Sequence, residues 1–195
     1  MPTPTGPIPL LCGLDEAGRG PLAGPVCAAA VILPADFQQD ILADSKKLSA
    51  AAREKARPVI CSESLAWGLG WVSPAEIDEI NIHNASLLAM KRAFETMLAA
   101  FPSLRDIRAV ADGLFIPDIQ VPCEALVKAD SLVPAVMAAS ILAKTARDRL
   151  MEYYAVFFPE YGYEKHKGYP TKAHREAIQR HGPSAIQRMS FKCEV

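Results

Sequence analysis

Gly13-Leu14-Asp15-Glu16-Ala17-Gly18-Arg19-Gly20-Pro21 decides the reading of this chain, because it sets two carboxylates where an apolar run gives way to a glycine-rich turn. The run upstream is Ile8 to Asp15 and the one downstream is Pro25 to Leu33. Both are bounded by Pro and Gly, so they read as adjacent strands joined in a hairpin. Successive strand side chains point to opposite faces, so Asp15 and Glu16 share a site only if the strand bends or ends there, which Gly18 and Gly20 permit. On spacing alone, a charged strand end closed by a tight turn explains the same residues equally well.

Outward from this hairpin, Ser49 to Ser64 is Ala-, Lys- and Arg-rich and reads as a helix broken near Pro58, followed by a strand over Leu65 to Val72. Ser73-Pro74-Ala75-Glu76 is a capping box with proline at the first helical position, where its missing N–H costs nothing. From Asn84 to Phe101 the residues Leu87, Met90, Phe94, Met97, Leu98 and Phe101 recur at steps of three and four, which predicts an amphipathic helix. Ile107 to Asp112 and Val121 to Val127 read as short strands and Pro134 to Phe157 as a long helix. Thr171 to Arg180 reads as a helix capped by Thr171 and ended by Gly182-Pro183. Strands first, then strands interleaved with helices, predict one α/β domain over residues 1–195, a mixed sheet covered by helices. Residues 1–8 are expected to be a flexible lead.

The 195 residues are 50% apolar and 22% charged, and 21 basic against 22 acidic side chains leave a net charge of −1. Such a chain buries a core without staples and carries no uniform basic coat. Its charge is nevertheless uneven: residues 1–143 balance to −5 and residues 144–195 to +4. Five cysteines without a C-x-x-C spacing argue against a disulfide framework or a zinc site and fit a reducing cytoplasm. No apolar stretch reaches the ~20 residues of a membrane span, and the N-terminus lacks the basic region and apolar core of a signal peptide.

Asp112 and Asp130 end apolar runs as Asp15 and Glu16 do, and in an open α/β sheet strand ends form the crevice where ligands bind. Converged carboxylates repel unless a cation neutralises them, and oxygen ligands without His or Cys favour Mg²⁺ or Mn²⁺. Taken singly, Asp112-Gly113 reads as a turn and Asp130-Ser131 as a helix start. Gly18-Arg19-Gly20-Pro21-Leu22-Ala23-Gly24 is one residue too long for a dinucleotide loop and leads into a strand, so a Rossmann site is rejected. Its glycines would instead let backbone groups approach a sugar-phosphate closely. Lys46, Lys47, Lys144, Arg147 and Arg149, with the loop Gly162 to Pro170 and its tyrosines, suit a nucleic-acid strand or a solvated basic face. His166, His174 and His181 read as surface histidines, and Ser131 and Ser140 lack the partners of a hydrolase triad.

These segments resemble the type 2 ribonucleases H in their compact bacterial form. The resemblance rests on Gly13 through Val26, Asp44-Ser45-Lys46-Lys47-Leu48, Asn81-Ile82-His83-Asn84-Ala85, Ala111-Asp112-Gly113 and Lys128-Ala129-Asp130. It continues through Ala138 to Lys144, His166 to Thr171 and Arg188-Met189-Ser190-Phe191, and departs from the family at Cys193, where proline is expected. It implies a ribonuclease H-like fold with a central five-stranded mixed sheet flanked by helices. The implied activity is endonucleolytic cleavage of RNA in RNA–DNA hybrids, and 5′ of ribonucleotides embedded in duplex DNA, by two-metal catalysis with Mn²⁺ or Mg²⁺. On this resemblance Asp15, Glu16, Asp112 and Asp130 are the catalytic metal ligands. Gly18, Arg19 and Gly20 sense the 2′-hydroxyl, and Tyr169 packs on the neighbouring deoxyribose. Lys46, Asn84, Ser140 and Lys144 lie near the nucleic-acid backbone, and a monomer is expected. A non-catalytic hybrid-binding protein and another nuclease of the same fold remain the alternatives.

Overall fold

A computed structural model of the protein describes residues 9–42 and 49–192; the lead expected over residues 1–8 lies outside the described residues, as do Lys46, Lys47 and Cys193. The hairpin is present: β1 (Leu10–Ala17) pairs antiparallel with β2 (Val26–Ile32), setting Asp15 opposite Ala29 and Glu16 opposite Ala28. Outside β2 lies β3 (Ala66–Val72), also antiparallel. On the other flank β4 (Ile107–Asp112) and then β5 (Cys123–Leu126) run parallel to β1. The order β3-β2-β1-β4-β5 is the mixed five-stranded sheet expected.

Every residue of β2 is buried, because helices cover both faces of the sheet. Val26, Ala28, Ala30 and Ile32 point into a core shared with α2 (Pro74–Ala100), whose Met90, Phe94 and Met97 fill it. Ala29 and Val31 point the other way, against α1 (Ala50–Glu63) and α3 (Pro134–Phe157). Small residues set how closely the helices approach. A Cβ on Gly70 would come within 2.1 Å of the Ala89 carbonyl oxygen of α2, and one on Gly13 within 2.2 Å of the Ala135 backbone of α3.

Local signals account for most boundaries. Ser73 and Glu76 form the reciprocal capping box at the start of α2, and Thr171 accepts from the His174 N–H at 3.3 Å to start α5 (Lys172–His181), which stops at Gly182 with φ 80°. Two expectations are corrected, the break at Pro58 and the loop from Gly162 to Pro170. α1 runs through Pro58 without a break: this proline is exposed, so the carbonyl it leaves unbonded one turn earlier stays within reach of water. α2 joins the capping-box segment to the amphipathic one across a kink at Asn81 (φ 66°, ψ 164°), whose side chain accepts from the His83 and Asn84 N–H groups at 3.0 and 3.1 Å and caps the second segment. The stretch Gly162 to Pro170 contains a one-turn helix, α4 (Tyr163–His166). No helix among the described residues is long and apolar enough to cross a membrane.

Candidate active site

β1 and β4 are parallel neighbours with Leu14 opposite Ala111, which brings Asp15 and Asp112 out at the same end of the sheet. The contact at Gly13 seats the first turn of α3 against β1. The short 3₁₀ turn Ala129–Ser131 that leads into α3 therefore delivers Asp130 to the same place. Asp130 thus sits on a helical turn, since β5 stops at Leu126, and not at the end of a strand as the sequence reading had it. One carboxylate oxygen each from Asp15, Asp112 and Asp130 lies within 4.8 Å of the others.

Glu16 follows the pleat onto the other face. It joins His83, Ser86, Leu87 and Met90 of α2 around a small cavity, with Asp112 as a common wall. β1 continues to Ala17, so no strand end is needed; the Glu16 N–H donates to Asp15 Oδ1 at 2.7 Å across the turn of the backbone. Burial holds the Asp15 carboxyl well above its ordinary range, the charge of Glu16 and that of Asp112 add to the rise, and a hydrogen bond with Ser140 opposes it. Burial also raises Glu16, against the Arg19 guanidinium 3.1 Å away. Asp112 Oδ1 and Glu16 Oε2 are buried without a hydrogen-bond partner. Repelling, desolvated carboxylates with unused lone pairs and an all-oxygen donor set fit a hard divalent cation.

Beside the acids opens a cavity of about 390 Å³. Gly18, Arg19 and Gly20 form one wall, while Ser140 and Lys144 of α3 and the ring of Tyr169 form another. Lys144 Nζ lies 5.6 Å from the centre of that ring and donates to Asp148 Oδ1 at 2.8 Å. The structure thus gathers these six expected contact residues around Glu16. Asn84 stands apart: exposed near the start of the second segment of α2, it donates to the Ile80 carbonyl at 3.0 Å and lines neither cavity. Lys46 lies outside the described residues.

Sequence reading missed what holds the glycine loop. Arg147, read as part of a basic face, is fully buried and donates to the carbonyls of Pro25, Ala23 and Lys167. Arg188 is buried likewise and donates to Gly24, Arg19 and Gly18 at 2.8, 3.0 and 2.6 Å. Burial, then the neighbouring Arg147 charge, pulls Arg188 down to about 9, so it stays protonated at neutral pH. The signal for Arg147 was present: Ala139, Ala143, Arg147 and Met151 recur at steps of four on the buried face of α3. Arg53, also missed, lines the larger cavity. Tyr163 and His174 are buried as well, against the expectation of exposed loop tyrosines and surface histidines, because α4 and α5 close a small core around them.

The profile of the Ribonuclease HII family matches residues 12–194. The chain is 56% identical to ribonuclease HII of Treponema denticola, over 93% of this chain and 98% of that protein. Among solved structures it is similar to the ribonuclease H2 from Pyrococcus horikoshii, with a TM-score of 0.70 at 25% identity, covering 94% of each chain. It shares the fold of Bst ribonuclease HIII, solved in complex with Mn²⁺, with a TM-score of 0.75 at 19% identity over 93% of this chain and 67% of that one. Sequence and fold agree, and the chain belongs to the ribonuclease HII family, metal-dependent endonucleases that act on RNA–DNA hybrids.

Proposed function

We propose that this chain is a single catalytic domain that cleaves the RNA strand of RNA–DNA hybrids and cuts on the 5′ side of ribonucleotides embedded in duplex DNA, leaving 3′-hydroxyl and 5′-phosphate ends. The observation that carries the reading is the meeting of Asp15, Asp112 and Asp130 from three separate segments, with Glu16 beside them.

Asp15, Glu16, Asp112 and Asp130 are the residues that would hold Mn²⁺ or Mg²⁺, which would supply activation of water and stabilisation of the leaving 3′ oxygen. The chain's own contribution is to orient. Arg19 draws Glu16 to one side of the cleft and Ser140 supports Asp15 from α3. The carbonyls of Gly18 and Arg19 are already engaged by Arg188, which leaves the loop fixed before substrate arrives. Preorganisation of this kind spares ordering entropy during binding. Gly18, Arg19 and Gly20 read the 2′-hydroxyl, the half-exposed ring of Tyr169 packs against the adjoining deoxyribose, and Lys144 meets the backbone. Asn84 would touch the strand only beyond these cavities, and Lys46 is proposed to meet the backbone as well.

The protein is proposed to act as a monomer in the cytoplasm; Cys12, Cys27, Cys61 and Cys123 all carry free thiols, which suits a reducing compartment. The test is a DNA duplex carrying one ribonucleotide, incubated with and without Mn²⁺ or Mg²⁺. Incision at its 5′ side only with metal present is expected, and metal-independent or absent cleavage overturns the reading.

A further inference from the structure

The small cavity on the α2 side of the acids collects three polar atoms with no partner. Glu16 Oε2, Asp112 Oδ1 and Ser86 Oγ are each buried and unpaired, and all three residues line the same space of about 30 Å³. Ser86 is only 2% exposed. A buried helical serine normally donates to the carbonyl four residues back, as Thr145 of α3 does to Ile141 at 2.7 Å; Ser86 does not. Its hydroxyl proton is therefore available to the cavity.

Two features place it there. The kink at Asn81 starts a new helical segment, and His83, Ser86, Leu87 and Met90, at steps of three, one and three, put one face of that segment on the cavity. On the other side the chain after Asp112-Gly113 turns back, and Phe115 packs edge-on against His83 with ring centroids 4.5 Å apart. The polar atoms thus sit beneath an apolar rim, where hydrogen bonds act through a lower dielectric than in water.

The three atoms cannot satisfy one another directly. In the ionised form that a cation requires, two are carboxylate oxygens, which only accept, and one hydroxyl can donate to only one of them. A single water molecule has the complement the three atoms lack, a lone pair to accept from Ser86 and two protons for Glu16 Oε2 and Asp112 Oδ1. The space is large enough for one. We infer that Ser86 is a positioning residue that, through one bridging water, fixes the rotamers of Glu16 and Asp112 for the divalent cation. The inference rests on the reading of the acids proposed above. It makes Ser86 an outer support of a kind whose loss weakens metal affinity by about 10–100-fold in other sites.

The experiment is a titration of the full-length protein with Mn²⁺ alone, the free ion being followed by electron paramagnetic resonance. S86A should need about tenfold more Mn²⁺ for half occupancy, and the Mn²⁺ concentration giving half-maximal cleavage should rise in parallel. S86T, which keeps the hydroxyl, should bind like the wild type. Should S86A lose its cooperative unfolding transition, S86T against S86V gives the same comparison at constant shape, with the valine weaker. Wild-type Mn²⁺ affinity in S86A, or equal affinity in S86T and S86V, overturns the role of Ser86. D112N separates the two levels. If D112N also binds Mn²⁺ like the wild type, the reading of the acids itself falls; if D112N is weakened and S86A is not, only the serine's part does.

Discussion

Arg147 and Arg188 take hold of adjacent carbonyls on one loop: Arg147 Nη2 donates to Ala23 at 3.1 Å and Arg188 Nε to Gly24 at 2.8 Å. Burial lowers the pKa of both guanidinium groups, and the Arg147 charge lowers that of Arg188 further. What offsets this is the number of backbone acceptors, three for each side chain.

Replacing Arg188 by methionine removes the charge but leaves three carbonyls without donors, each costing about 1–3 kcal/mol when buried. R188M should lower the unfolding free energy by about 3 kcal/mol and cut cleavage more steeply than stability alone accounts for, because Gly18 and Arg19 lose their anchor. Chemical denaturation and turnover on an RNA–DNA hybrid measure both. R147K should do nearly as badly, since an ammonium cannot reproduce the planar fork.

The glycines of the loop separate folding from substrate contact. Gly18 has φ 102°, and a Cβ there would stand 2.1 Å from Arg147 Nε, so G18A should cost about 1–3 kcal/mol from backbone strain alone. Gly20 has ordinary backbone torsions, and its Cβ would find only Tyr169 Cε1, at 3.6 Å. G20A should therefore unfold at the wild-type temperature yet lose activity on embedded ribonucleotides. Equal thermal shifts in the two variants would contradict this.

Asp15 illustrates a cost borne for chemistry. Its folded pKa is raised, so the folded protein holds a proton that the unfolded chain releases, and apo stability declines as pH climbs from the unfolded carboxylate value near 3.8 through the folded one. D15N should abolish cleavage, raise apo stability at neutral pH by about 0.5–2 kcal/mol and remove the extra stabilisation that Mn²⁺ gives the wild type. Thermal melts with and without metal check all three.

His166 and His174 stack with ring centroids 4.5 Å apart, and His174 Nδ1 donates to the Tyr169 carbonyl at 3.0 Å. Burial lowers both pKa values below the ordinary 6.5. The folded state thus favours the neutral rings, and their contribution is complete above pH 6.5 and lost as pH falls from there through the folded values. This contribution should fall between pH 7 and pH 5, so over that range H174Q should lose less of its unfolding midpoint than the wild type does.

The elements of this fold were largely legible because each carries a local signal. The Pro- and Gly-bounded apolar run of β1, the capping box at Ser73 and the cap at Thr171 are short-range effects, and they place boundaries to within a residue or two. Asp15, Asp112 and Asp130 stood out only because acids ended apolar runs, and their convergence depends on a parallel register and on Gly13, neither of which spacing encodes. What escaped was long-range and polar. Arg188 and Gly18 are 170 residues apart, and nothing in either's neighbourhood announces the bond between them. Ser86 looks like any small residue in an amphipathic helix, and its meaning lies in the bonds it does not make.

That same bond fixes an order of events during synthesis. The strand carrying Asp15 and Glu16 leaves the ribosome well before the guanidinium that secures Gly18 and Gly24, which comes 170 residues after Gly18. A growing polypeptide therefore carries Asp15 and Glu16 long before it has a finished cleft, and the glycine loop is secured only once Arg188 has been made.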